Sequence, residues 1–226
     1  MAKHKAKSPK AKSAIPSIPL NPEEMFKNAL SFHYSADVLN HVMAARSLLR
    51  RLQPQEQVTY PTMQPMVVNS AFCIELYFKC IYAIENSGKM FRSHSLFDLF
   101  HKLGSDIQKH ITEIWESQSK ETHQLLQTAA AKKFGSEYRY LMCTSPSGMM
   151  VMMDTQASPN VNTRLNDVLR NADEAFEKWR YAFEGEVTNF EFAGLATAIQ
   201  MAILEIKPAW NSLVVAIGSQ PTFQVH

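Results

Sequence analysis

The sequence contains little glycine, little cysteine and no long uninterrupted apolar run. Its seven glycines leave little material for a phosphate-binding loop of the usual kind, and G-x-G-x-x-G, Walker, G-x-S-x-G and H-E-x-x-H motifs do not occur. Its three cysteines lack zinc-like C-x-x-C spacing, which fits a reducing cytosol better than secretion. No stretch reaches about 18 consecutive apolar residues, so no membrane span is predicted. The sequence therefore predicts a cytoplasmic protein without membrane contact.

Charge is unevenly distributed along the chain. Five lysines and no acid lie in the first twenty residues, whereas the rest carries 18 basic and 21 acidic side chains, so a net charge of +2 conceals a body of −3. We predict a disordered basic arm over residues 1–20, which either contacts polyanions or is a solvated end. The acidic body excludes a uniformly basic nucleic-acid-binding fold but leaves a local basic patch open.

What the sequence does contain is a series of helical patterns. A content of 46% apolar and 10% aromatic residues is sufficient for a packed core. Asn21 and Pro22 form a helix start, and Gly88 follows a very apolar helix. We predict an all-α, up-and-down bundle over residues 21–216, with an irregular or hairpin insertion at about 135–162 and a tail at 217–226. Helices are expected at about 21–52, 64–86, 95–103, 105–118, 121–134, 163–183 and 190–206.

Two charged pairs lie beside apolar or aromatic residues. Glu75 and Lys79 are four residues apart inside the most apolar helix, where an isolated charge would be costly. They form either a half-buried ion pair or part of a functional cleft. Arg180 and Glu184 have the same spacing beside aromatic residues, and packing against the bundle is the simpler interpretation. All four are candidate binding residues.

Histidines and aspartates recur on two helices at steps of three or four residues. One set is His33, Asp37 and His41, and the other comprises residues 94, 98 and 101, which are His, Asp and His. If His33, Asp37, His94 and Asp98 converged, the two faces could hold a transition metal. Neither set has the Glu-x-x-His arrangement of di-iron bundles, and local His–Asp hydrogen bonds are the simpler interpretation. We therefore predict no metal site and no cofactor.

Three sequence blocks together resemble bacterial HEPN-domain proteins. They are A-F-x-x-E-L-Y-x-K at 71–79, H-x-L-x-x-L-x-x-x-L at 94–103 and F-x-x-W-R-Y-x-x-E at 176–184. The resemblance covers about residues 25–206. It implies a HEPN-type helical bundle, a homodimer whose cleft meets RNA or nucleotide, and, in many relatives, a toxin–antitoxin or phage-defence role with an antitoxin or other protein partner.

The chain departs from the Arg-x(4–6)-His motif of HEPN nucleases. None of its eight arginines has a histidine five to seven positions downstream. Arg92, His94 and His101 are the nearest substitutes for catalytic residues. The primary hypothesis is therefore a HEPN-like module that binds RNA, nucleotide or a protein partner without the usual nuclease motif. The alternative is a metal-independent RNA endoribonuclease that uses Arg92 with His94 or His101, so whether the protein is an enzyme stays open.

Overall fold

The fold is built mainly of helices. The computed structural model describes residues 20–52, 63–134, 139–144, 149–154, 164–171, 173 and 194–218. The predicted basic arm, the Arg180–Glu184 pair and the last eight residues lie outside this part. The elements in chain order are α1 Pro22–Leu52, α2 Met63–Glu85, α3 Leu96–His101, α4 Ser105–Phe134, β1 Arg139–Thr144, β2 Met149–Asp154, α5 Leu165–Asn171, α6 Leu195–Ile206, a 3-10 turn Pro208–Trp210 and α7 Asn211–Gly218.

The start of α1 and the end of α2 follow from local chemistry. The Asn21 side-chain oxygen accepts a hydrogen bond from the Glu23 N–H at 3.0 Å, which caps α1, while Pro22 needs no donor at the first position. At the end of α2, Gly88 adopts φ 80°, and its N–H donates to the carbonyl of Ala83 at 2.8 Å. A positive φ favours glycine, so this residue ends the helix where the sequence predicts.

Helix α2 lies at the centre of the packing. It contacts α1, α3 and α6, and several of its side chains are fully buried. Within the described ranges, Gln64–Glu85 is the one helical stretch long and apolar enough to cross a membrane. However, 67% of its most apolar 18-residue segment is buried inside the protein. A core helix has the same composition. The largest fully buried side chains are Trp115, Tyr77, Phe26, Phe78, Ile74, Ile81, Leu96, Leu99, Ile111 and Leu165.

The structure defines two helices more fully than the sequence does. The helical signal predicted over 105–118 and continuing over 121–134 belongs to one helix, α4, because the link at 118–120 is polar but contains no helix breaker. A further helix, α7, follows the turn at Pro208, and Leu213 and Val214 pack against the core. In the predicted insertion, β1 and β2 pair antiparallel, with Arg139 opposite Asp154 and Thr144 opposite Met149.

Candidate functional site

A buried ion pair lies in the middle of α2. The Lys79 ammonium donates to Glu75 Oε1 at 2.6 Å, and the residues are only 5% and 1% exposed. Their spacing of four residues places both side chains on one helix face, as the sequence predicts. The second carboxylate oxygen, Oε2, is buried and has no hydrogen-bond partner in the described part of the chain. The hydrogen bonds that the Glu75 carboxylate accepts in the described part of the chain are therefore all made by Oε1.

Oε1 of Glu75 also contacts His94, which precedes α3. The distance between His94 Nδ1 and Glu75 Oε1 is 3.0 Å, and the imidazole is 63% exposed. Because an ionised carboxylate only accepts hydrogen bonds, we assign the Nδ1 proton to the imidazole. In the neutral ring, Nε2 then carries the lone pair and can act as a base. The fold thus joins a buried carboxylate to a histidine that solvent can reach.

His94 does not cap α3; its neighbour Ser95 does. Ser95 Oγ accepts from the Asp98 N–H at 2.9 Å and donates to Asp173 Oδ1 at 2.6 Å. The same Asp173 oxygen accepts the backbone N–H of Phe97 at 3.0 Å. Asp173 lies beyond α5, so this contact fixes the start of α3 across more than seventy residues. His94 instead contacts Glu75.

Exposed basic side chains and histidines surround the half-buried ring of Phe97 at α3; we call this set the α3 surface and define it by Arg92, His94, Phe97, His101, Lys102 and Arg170. The His101 ring stacks on Phe97 with centroids 4.1 Å apart, and the Arg170 guanidinium lies 5.0 Å from the same ring centroid. The Lys102 ammonium lies 5.6 Å from the Phe91 ring centroid. Aromatic faces carry negative potential, so they attract these cations. Lys102 and Arg170 thus lie beside α3, whose own exposed acid is Asp98.

The structure gives each histidine that the sequence singles out here a different role. The His101 Nδ1 atom lies 2.8 Å from the backbone carbonyl of Phe97 in its own helix, and no carboxylate among the described residues holds it as Glu75 holds His94. Arg92 is exposed two residues before His94. Lys102 was missed by the sequence reasoning, although the local excess of basic residues over 89–102 signals it. Arg170 and Asp173 were also missed, and only the folding of α5 onto α3 brings them there.

The proposed convergence of the two His–Asp faces does not occur. His33 is buried, with Nδ1 3.1 Å from the Tyr77 hydroxyl and Nε2 3.8 Å from Asp37 Oδ2. His41 Nδ1 lies 2.7 Å from the backbone carbonyl of Asp37, and His94 is held by Glu75 instead. Within the described ranges, no group of three or more His, Cys, Asp or Glu side chains could hold a metal ion. The metal alternative therefore has no structural support there.

The buried position of His33 predicts a pH-dependent stability. Burial lowers the pKa of His33 below its ordinary value of 6.5, and the nearby Asp37 carboxylate partly opposes this. His33 therefore takes up a proton more readily in the unfolded chain than in the folded one. The stability that neutral His33 gives the folded state is complete above pH 6.5 and is lost as pH falls below that value. We expect the urea midpoint of the parent to fall more between about pH 7.5 and about pH 5.5 than that of His33→Gln. Equal decreases would contradict this assignment.

The two cysteines of α2 are structural. Cys73 and Cys80 are both buried and unpaired by disulfide. Burial raises the pKa of the Cys80 thiol to about 12 and that of Cys73 well above its ordinary value. Since the thiolate is the reactive form, neither is suited to nucleophilic chemistry at neutral pH.

The candidate site thus consists of the buried pair Glu75 and Lys79 together with the α3 surface, whose residue His94 contacts Glu75. Arg180 and Glu184, the other predicted binding pair, lie outside the described residues, so their position relative to it stays a prediction. Comparison of the chain with protein-family models, with curated proteins and with solved structures gives no match. The sequence blocks and the geometry above are therefore the basis of any functional proposal.

Proposed function

We propose that this chain is a HEPN-like helical protein that binds RNA through its α3 surface. The observation that carries the proposal is the cluster of exposed cations and stacked rings around α3, on a body whose net charge is negative. Cations neutralise phosphates, and the exposed imidazole rings of His94 and His101 can stack on unpaired bases. A HEPN-like helix arrangement, a homodimer and a toxin–antitoxin or phage-defence context with a protein partner belong to the same proposal, and they rest on the sequence resemblance.

RNA binding is tested by removing two cations that the core does not require. The Arg92→Ala/Lys102→Ala variant is expected to bind a fluorescein-labelled single-stranded oligoribonucleotide about tenfold more weakly than the parent in anisotropy titrations, because two phosphate contacts are lost. The slope of log affinity against log salt concentration should also fall by roughly one to two units. Lys109→Ala is the matched control, since Lys109 is an exposed lysine of α4. Equal losses in both variants, or none in either, would refute the α3 surface.

The Glu75–His94 contact favours a second candidate, metal-independent cleavage of RNA. In this reaction Nε2 of neutral His94 accepts the proton of a ribose 2′-hydroxyl, while the 2′-oxygen attacks the adjacent phosphorus. The bond from phosphorus to the 5′-oxygen breaks, water supplies the proton of the leaving oxygen, and the products are a 2′,3′-cyclic phosphate and a 5′-hydroxyl. The buried carboxylate would stabilise the imidazolium that forms, and Arg92 would stabilise charge on the phosphate.

Cleavage is tested with purified protein and single-stranded RNA in EDTA. His94→Gln is expected to lower the rate by at least about a hundredfold, whereas His101→Gln should leave it within about threefold, because no buried carboxylate holds His101. Cleavage that persists unchanged in His94→Gln would identify a contaminating nuclease. No cleavage by the parent would reject the second candidate, while the binding titrations would still decide the first.

A further inference from the structure

An open cavity of about 390 Å³ lies where the start of α1 meets the end of α2 and the turn after α6. Its apolar lining includes Leu20, Pro22, Ile84 and Trp210, and its polar lining consists of Asn21, Glu23, Ser87 and Lys207. This volume is within the usual range for sites that hold small molecules, which combine apolar walls with a small number of polar groups. Neither RNA proposal uses this cavity.

The core holds Trp210 in place at the cavity. Its ring stacks on Phe26 with centroids 5.3 Å apart and planes inclined by 30°, and Phe26 is fully buried. Trp210 itself is only half-buried, so part of the indole lines the open space. A fixed aromatic surface loses little entropy when a second ring packs against it. The cavity therefore offers a preformed contact for a planar apolar group.

The cavity wall contains one exposed lysine. No described residue forms an ion pair with the Lys207 ammonium group. Glu23 also lines the space, and its carboxylate lies 2.9 Å from the Lys27 ammonium, which Glu24 shares at 2.8 Å. The wall includes the positive end of the α1 dipole and the negative end of the α2 dipole, which oppose each other. Lys207 is therefore the group in the wall that an anionic group would contact.

We propose that this cavity binds a small aromatic carboxylate, with the ring against Trp210 and the carboxylate beside Lys207. Benzoate is the probe, and benzamide is the neutral molecule of nearly the same shape. With about ten heavy atoms, benzoate is expected to bind with a Kd of about 1 mM, and benzamide about fivefold more weakly. Binding is followed in ¹⁵N-labelled protein at constant ionic strength by the backbone N–H signal of Gly88, which also lines the cavity, and, where Trp210 is present, by its indole N–H signal.

Two variants and one control separate the charge from the ring. Lys207→Met retains the apolar stem and should bind benzoate and benzamide equally weakly, while Trp210→Leu should weaken both. Lys109→Met, which removes another exposed lysine, should bind like the parent. Because Lys207 is exposed, its replacement is not expected to disturb folding, so the test does not depend on Trp210→Leu being folded. An unchanged Trp210 signal in the parent, or benzoate affinity unaffected by Lys207→Met, would overturn the proposal.

Discussion

Replacing Glu75 with leucine is expected to lower the free energy of unfolding by about 3–5 kcal/mol, measured by urea denaturation at neutral pH. The reason is that Lys79, only 5% exposed, would keep a buried ammonium without its partner 2.6 Å away. Removing one member of a buried ion pair costs more than the net contribution of the pair, since the other charge stays desolvated.

A double-mutant cycle distinguishes this effect from a loss of packing. Glu75→Leu/Lys79→Met replaces both charges with apolar groups and is expected to be within about 1 kcal/mol of the parent. The exposed pair Lys109 and Glu113 has the same spacing, with its charged atoms 3.8 Å apart, and its coupling should not exceed about 0.5 kcal/mol. If the double variant lost as much stability as the single variants Glu75→Leu and Lys79→Met added together, the pair would not be energetically coupled.

Replacing Asp173 with alanine is expected to cost about 2–3 kcal/mol of stability and to loosen α3. One Asp173 oxygen accepts from both the Ser95 hydroxyl, at 2.6 Å, and the Phe97 N–H, at 3.0 Å. Hydrogen bonds to a charged acceptor are stronger than neutral ones, and the loss leaves the Phe97 N–H, a donor at the helix N-terminus, without its acceptor. Thermal unfolding gives the stability change, and amide hydrogen exchange at Phe97 reports the local effect.

Asp167→Ala is the matched control for this cap. Asp167 lies in the first turn of α5, so its loss should cost only about 0.5 kcal/mol through the helix dipole. Exchange at Phe97 should not change in this variant. Equal protection of Phe97 in both variants would show that Asp173 does not hold α3. Asp173→Ala is also expected to weaken RNA binding if the α3 surface is the binding site, because α3 carries His101 and follows His94.

Much of the helix order was predictable because its signals are local. Asn21 and Pro22 mark the start of α1, Ser95 caps α3, and Gly88 ends α2, each through contacts within a few residues. The helical signal predicted over 105–118 and continuing over 121–134 belongs to the single helix α4, and Ser119 in the polar link between them is buried. Polarity without proline or glycine does not end a helix whose neighbours cover it.

The sequence by itself determined the all-α class, the buried position of α2 and the Glu75–Lys79 pair, since helical periodicity and spacing of four residues are local geometric rules. Only the tertiary structure decided which histidine Glu75 meets, that Asp173 rather than His94 supports the start of α3, and that Arg170 lies over Phe97. These contacts join residues 19 to 78 positions apart, and such contacts depend on how helices pack rather than on any pattern within one helix.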